Sequence, residues 1–126
     1  MHTIAAVLLA ALLIGTGLTH WVYPAYYRSM VPSWIGWARP IAVWSGVADV
    51  LAGAAVLIPA TRTWGAVAAA ALVTVYLVSH VDALVHADPA KPRFFDRRPG
   101  AVLRIAVNLG YITWAILLAV PGAGSA

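Results

Sequence analysis

Long apolar runs, broken by short polar segments, set the pattern of this chain. Four stretches are almost wholly apolar: Thr3–Tyr23, Arg39–Ile58, Trp64–Val85 and Ala101–Val120. A helix of about 20 such residues crosses the hydrocarbon core of a bilayer. The pattern therefore predicts an all-α protein, an antiparallel four-helix transmembrane bundle with helices at about 3–23, 39–58, 64–85 and 101–120. These take up nearly all of residues 1–126, which read as a single transmembrane domain.

The joints between the runs carry their own signals. Pro24 stops the first helix, because a proline disfavours helical geometry in the residue before it. Tyr26–Val31 reads as a short helical segment lying in the interface, among Trp21, Tyr23, Trp34 and Trp37, since such aromatics favour the headgroup region. Pro59–Thr63 is a tight turn, which makes the second and third spans antiparallel neighbours. Residues 87–99 hold Pro89, Pro92 and Pro99 and read as irregular, with basic side chains suited to anionic lipid headgroups or simply to water. The tail, residues 121–126, reads as frayed. The first span has only His2 before its apolar run and exceeds the usual h-region of about 7–15 residues, so it reads as a retained helix and not a signal peptide.

Composition supports the same class. The chain is 63% hydrophobic and 10% charged, too little polar surface for an ordinary soluble domain. It has no cysteine, which excludes a disulfide framework and thiol redox chemistry by this chain. A net charge of +4 raises the thought of nucleic acid, but the basic residues sort by membrane side. Arg28, Arg39, Lys91, Arg93, Arg97, Arg98 and Arg104 gather on one side and Arg62 alone on the other. The positive-inside rule then places loops 24–38 and 87–99 in the cytoplasm and both termini outside. The expected location is the cell membrane, multi-pass, with no nucleic-acid partner.

Candidate chemistry lies in the polar residues within the spans. Asp49 sits in the middle of the second run, and a carboxylate near the midplane is costly unless paired or functional. Residues three, four and seven apart share a helix face. Such stripes are Thr16, His20 and Tyr23; Ser45 and Asp49; Ser79, Asp82 and His86, with Tyr76 and His80 as another face; and Arg104, Asn108 and Tyr111. Polar groups facing lipid are costly, so the stripes should point inward. At 1.5 Å rise per residue, Asp49 lies roughly 14 Å and Asn108 roughly 12 Å below the basic side, with His80 and Arg104 at about 6–9 Å and His20 at about 5 Å. The expected arrangement is a polar pocket open toward the basic side, with Asp49 near its floor.

Several readings of that pocket stand side by side. The polar groups could only fix helix register through hydrogen bonds. Asp82 and His86 could be a local surface pair. Arg104 could pair with Asp82 or reach Asp49. A metal site would need better ligand spacing, and no His-x-x-x-His or Glu-x-x-His pair is present, so no metal is expected. The functional reading is a pocket for a lipophilic molecule such as a quinone or prenyl chain, where a neutral Asp49 donates a proton or an Asp49–Arg104 pair orients a carbonyl. The candidate catalytic residues are Asp49, His20 and His80. The candidate ligand-binding residues are Arg104, Asn108, Tyr111, Ser45 and Tyr27.

The words Gly17-Leu-Thr-His20-Trp21, Pro24, Tyr27 and Val31-Pro32-Ser33-Trp34 are followed by Ser45-Gly46-Val-Ala-Asp49-Val-Leu-Ala-Gly53 and Leu57-Ile-Pro59-Ala-Thr-Arg62. Together they resemble the DoxX-like family of small four-helix membrane proteins, over about the first two-thirds of the chain. That family usually carries Glu where this chain has Asp49, so the acid is kept with a shorter reach. The resemblance implies a four-helix membrane fold, membrane oxidoreductase subunits as partners and a quinone as the cofactor to consider. It carries no enzyme activity over, because no cofactor motif is evident. The leading expectation is an accessory subunit or binding protein for a quinone- or isoprenoid-like molecule, surrounded by membrane lipids and able to form a homo-oligomer. The alternatives are a stand-alone membrane enzyme using Asp49 and a histidine, and a structural assembly factor.

Overall fold

The computed structural model describes residues 2–120, and the tail expected to fray lies outside them. The described residues form helices and turns only: α1 (His2–Val22), α2 (Pro24–Met30), α3 (Ala38–Leu57), α4 (Arg62–Val85) and α5 (Arg98–Ala119), with 3-10 turns at Pro59–Thr61 and Phe94–Asp96. Four of them, α1, α3, α4 with its preceding turn, and α5, are long and apolar enough to cross a membrane. The short α2 occupies the segment read as interfacial.

The boundaries follow from local chemistry. Pro24 ends α1 and opens α2, with Tyr23 between them out of helical geometry at φ −122° and ψ 61°. A proline in the first helical turn lacks a donor that would be unsatisfied anyway. The same tolerance lets α5 begin at Arg98, before Pro99, three residues earlier than the apolar run suggests. At the turn after α3, Arg62 Nε donates to the Val56 carbonyl at 2.9 Å and Thr61 Oγ1 to that of Ala55 at 2.8 Å. These bonds satisfy carbonyls that the end of α3 leaves without helical partners.

The basic segment before α5 is largely keyed to the fold. Arg97 Nε donates to the Lys91 carbonyl at 2.8 Å, Lys91 Nζ to the His86 carbonyl at 2.7 Å, and Arg93 lies over the Tyr26 ring at 5.3 Å. Much of the charge there organises the loop.

Helix α1 packs along α3, α4 along α5, and α3 against α4. The closest approach of α1 and α3 is at Gly17 and Gly46. A Cβ on Gly17 would lie 2.7 Å from the Gly46 carbonyl oxygen, and one on Gly46 would lie 2.9 Å from the Gly17 oxygen. Ala10 likewise meets Gly53. The hydrophobic core joins Ala6, Leu9, Ala10 and Leu13 to Ala52, Val56, Ala66, Ala69, Ala115 and Leu118. These residues belong to one end of the molecule, the end with the Pro59 turn, where Trp114 Nε1 donates to the Ala5 carbonyl at 3.1 Å. Toward the other end the helices make room, and α2 with its following loop covers the space. Ser79 Oγ donates to the Met30 carbonyl at 2.5 Å, and Trp34 Nε1 to Asp82 Oδ1 at 3.2 Å.

Outward surfaces remain apolar. Ile4, Leu51, Val75 and Leu117 are all more than half exposed.

Candidate functional site

A cavity of about 640 Å³ lies in the loosely packed end, walled by all five helices and by the loop after α2. Its lining is mostly apolar, including Leu9, Leu72, Val73 and Met30. The size falls within the roughly 300–1,000 Å³ typical of ligand pockets, which also pair an apolar wall with a few placed polar groups. Those polar groups here include Asp49, His20, His80, Asn108, Tyr111, Ser45 and Tyr27, seven of the eight residues singled out from the sequence. The eighth, Arg104, lies behind the wall in a separate polar pocket of about 90 Å³, with Asp82, His86 and Asp96.

Helix periodicity explains why α3 can place an acid here. Ala42, Gly46, Asp49, Ala52, Gly53 and Val56 form its buried face, and Gly46 lets α1 come close enough to set His20 beside the carboxyl. Asp49 is only 2% exposed. Its Oδ1 accepts the Tyr76 hydroxyl at 2.8 Å, and that hydroxyl also lies 3.2 Å from the Ser45 carbonyl. Its Oδ2 lies 3.9 Å from His20 Nδ1. Among the described residues, no fully enclosed side-chain nitrogen or oxygen lacks a hydrogen bond. Asp49 Oδ2, which has no hydrogen bond, is therefore reachable from the cavity.

The two buried histidines are wired in opposite senses. His20 Nδ1 is 2.7 Å from the Thr16 carbonyl oxygen, and a carbonyl can only accept. The His20 proton is thus on Nδ1, and Nε2 keeps its lone pair. The ring is stacked on Tyr27, with centroids 3.7 Å apart, and Tyr27 is held by Thr19 Oγ1 at 2.6 Å. His80 Nδ1 instead lies 3.0 Å from Arg104 Nε. A guanidinium has donors only, so His80 Nδ1 accepts and its proton sits on Nε2. This assignment follows from the bonding partners. His20 Nε2 is thus an acceptor, and His80 Nε2 is a donor.

Arg104 makes neither pairing that the sequence offered. It donates to His80, to the Phe95 carbonyl at 3.3 Å and to Ser79 Oγ at 3.4 Å, and its nearest carboxylate is Asp96 at 3.8 Å. The reason is helix rotation: α5 turns Arg104 toward the loop before it, while Asn108 and Tyr111, one and two turns on, face the cavity. Asn108 Nδ2 donates to the Arg104 carbonyl at 2.6 Å. Asp82 and His86 form the local pair, 3.3 Å apart. Among the described residues no cluster of three metal-ligating side chains occurs.

Tyr76 is the site residue that sequence reasoning left out of the candidate set. A usable signal existed. Counted from the basic end of α4, Tyr76 lies roughly 14 Å down, the same depth as Asp49. A polar aromatic level with a buried acid, on a neighbouring helix, is a natural partner for it.

No curated protein and no solved structure matches the chain. Residues 9–119, which include every candidate site residue, match one family, and the chain belongs to it: the family described as a domain of unknown function, DUF8561.

Proposed function

We propose that this chain is a multi-pass membrane protein, an antiparallel four-helix bundle that takes a lipophilic small molecule from the bilayer into its cavity. The observation that carries this reading is the cavity itself: an apolar chamber of about 640 Å³ with Asp49, His20, Tyr76 and His80 converging on it. A quinone- or isoprenoid-like body suits the apolar wall, and its polar end meets these groups. The exposed apolar faces of α1, α3, α4 and α5 support insertion. The basic residues support an orientation with loops 24–38 and 87–99 in the cytoplasm and both termini outside. In this reading the protein serves as an accessory or carrier subunit, beside membrane oxidoreductase subunits or a second copy of itself, in a distant likeness to the DoxX-like proteins.

The test is native mass spectrometry of the protein extracted in mild detergent, before and after addition of decylubiquinone or geranylgeraniol. The expected result is a retained lipophile on the wild type, lost in Ala48→Trp, which places a large ring in the cavity. A folded wild type that carries no co-purified lipophile and accepts no added one, neutral or charged, overturns the reading.

A second reading is favoured by one specific arrangement. His20 Nε2 has a free lone pair and Asp49 Oδ2 is open, on the same wall. Such a base and carboxyl could move a proton to and from a bound lipophile, which would make the protein an enzyme. Turnover of a bound compound, lost in His20→Gln with binding retained, distinguishes an enzyme from a carrier.

A further inference from the structure

The charge of the cavity wall points to a ligand class. Among its described lining residues there is one carboxyl, Asp49, and no lysine or arginine. The nearest guanidinium, Arg104, has each of its three nitrogens engaged, with His80, Phe95 and Ser79, and it lines the other pocket. The His80 ring stands between that charge and the cavity. Asp49 has one hydroxyl on Oδ1, and the neighbouring His20 proton is directed to the Thr16 carbonyl. Oδ2 is left without a hydrogen bond, with His20 Nδ1 3.9 Å away, and is open to the chamber.

An anionic head would meet a carboxyl group with no lysine or arginine to receive it. A cationic centre would supply the partner that a buried carboxylate needs. The same wall carries the aromatic rings of Tyr27, Trp44, Tyr76 and Tyr111. Aromatic faces attract organic cations, and more strongly where both are desolvated. A route for such a molecule exists between α3 and α4. Trp44 and Val75 line the cavity, yet they are 66% and 64% exposed on the outer surface. They form an apolar mouth on the side of the bundle.

We propose that the cavity selects lipophilic cations, molecules with an apolar body and an ammonium or phosphonium centre, with Asp49 as counter-ion and entry between α3 and α4. This rests on the reading that the cavity takes a lipophile from the membrane. It adds the sign of the ligand's charge and the residue that sets it.

Tetraphenylphosphonium and tetraphenylborate test the proposal, because they share shape and apolarity and differ in charge. Binding is measured by equilibrium dialysis of the whole protein in a non-ionic detergent, with empty micelles subtracted. The phosphonium is expected to bind and the borate not. Asp49→Asn, which keeps the size of the side chain, should weaken phosphonium binding by about 30-fold or more, as when one partner of a desolvated charge pair is lost. Asp49→Glu should retain it. Equal binding of the two ions, or unchanged phosphonium affinity in a folded Asp49→Asn protein, overturns the proposal. If Asp49→Asn fails to fold, the wild-type comparison of the two ions decides alone. If geranylgeraniol binds and the phosphonium does not, the charge selection falls while the lipophile cavity stands. If neither binds, both fall.

Discussion

Asp49 is held by a neutral donor, the Tyr76 hydroxyl at 2.8 Å, and this sets what substitutions should do. Tyr76→Phe keeps the ring on the cavity wall but removes that hydrogen bond. It should lower stability by about 1–2 kcal/mol, read by thermal unfolding in detergent. Asp49→Leu should leave stability unchanged or raised, because no lysine or arginine pairs with the carboxyl and a desolvated polar group is removed. A large loss of stability in Asp49→Leu would show the acid to be structural. The opposed histidines make a spectroscopic prediction. Nitrogen-15 NMR of the imidazoles should show the ring proton of His20 on Nδ1 and that of His80 on Nε2. In Arg104→Leu the constraint on His80 disappears, and its spectrum should move toward a mixture while that of His20 stays unchanged. A His80 spectrum identical in both proteins would refute the role given to Arg104.

At the level of helices, the site depends on how closely α1 and α3 approach. Gly17 and Gly46 face each other so tightly that a Cβ on either would sit under 3 Å from the other's carbonyl oxygen. Gly17→Val should force the pair apart, lower stability by about 1–3 kcal/mol, and separate His20 from Asp49. Ligand binding should then fall further than in Gly15→Ala, where an added Cβ meets nothing within 4 Å. Gly15→Ala should be neutral or stabilising by up to about 1 kcal/mol, since glycine in a helix interior forgoes that much relative to alanine. Equal effects of the two substitutions on unfolding and binding would show that the Gly17–Gly46 contact is not what places the acid. Helix existence and type were legible from the apolar runs. The start of α5 at Arg98 was less so, because a first-turn proline is compatible with a helix yet reads as a break.

The whole molecule is built in two halves, a small-residue core at the Pro59 end and a chamber at the end covered by α2. Seven of the eight basic residues belong to the covered end, which gives the proposed orientation its test. The chain has no cysteine, so single reporters are unambiguous. In intact cells a cysteine at Ala90 should be shielded from an impermeant thiol reagent, and one at Ala60, in the turn between α3 and α4, should be labelled. The reverse pattern would invert the topology and place the mouth of the smaller polar pocket outside.

Sequence by itself determined the helices and their polar stripes. Runs of apolar residues this long can satisfy their backbone only as helices in an apolar medium, and the 3.6-residue period decides which residues within one helix share a face. It also marked Asp49, because an acid in such a run is costly wherever it points. What sequence could not decide is which stripe meets which. That depends on the rotation and crossing of whole helices, set by contacts between residues far apart in the chain: Gly17 on Gly46, Trp114 on Ala5. Arg104 was a plausible partner for Asp49 by depth and charge, and only the turn of α5 sends it to His80 and Asp96. Tyr76 was at the right depth, and only the packing of α4 against α3 brings its hydroxyl to the acid. The free oxygen of Asp49, the opposed histidines and the absence of lysine and arginine from the described cavity wall are properties of that packing.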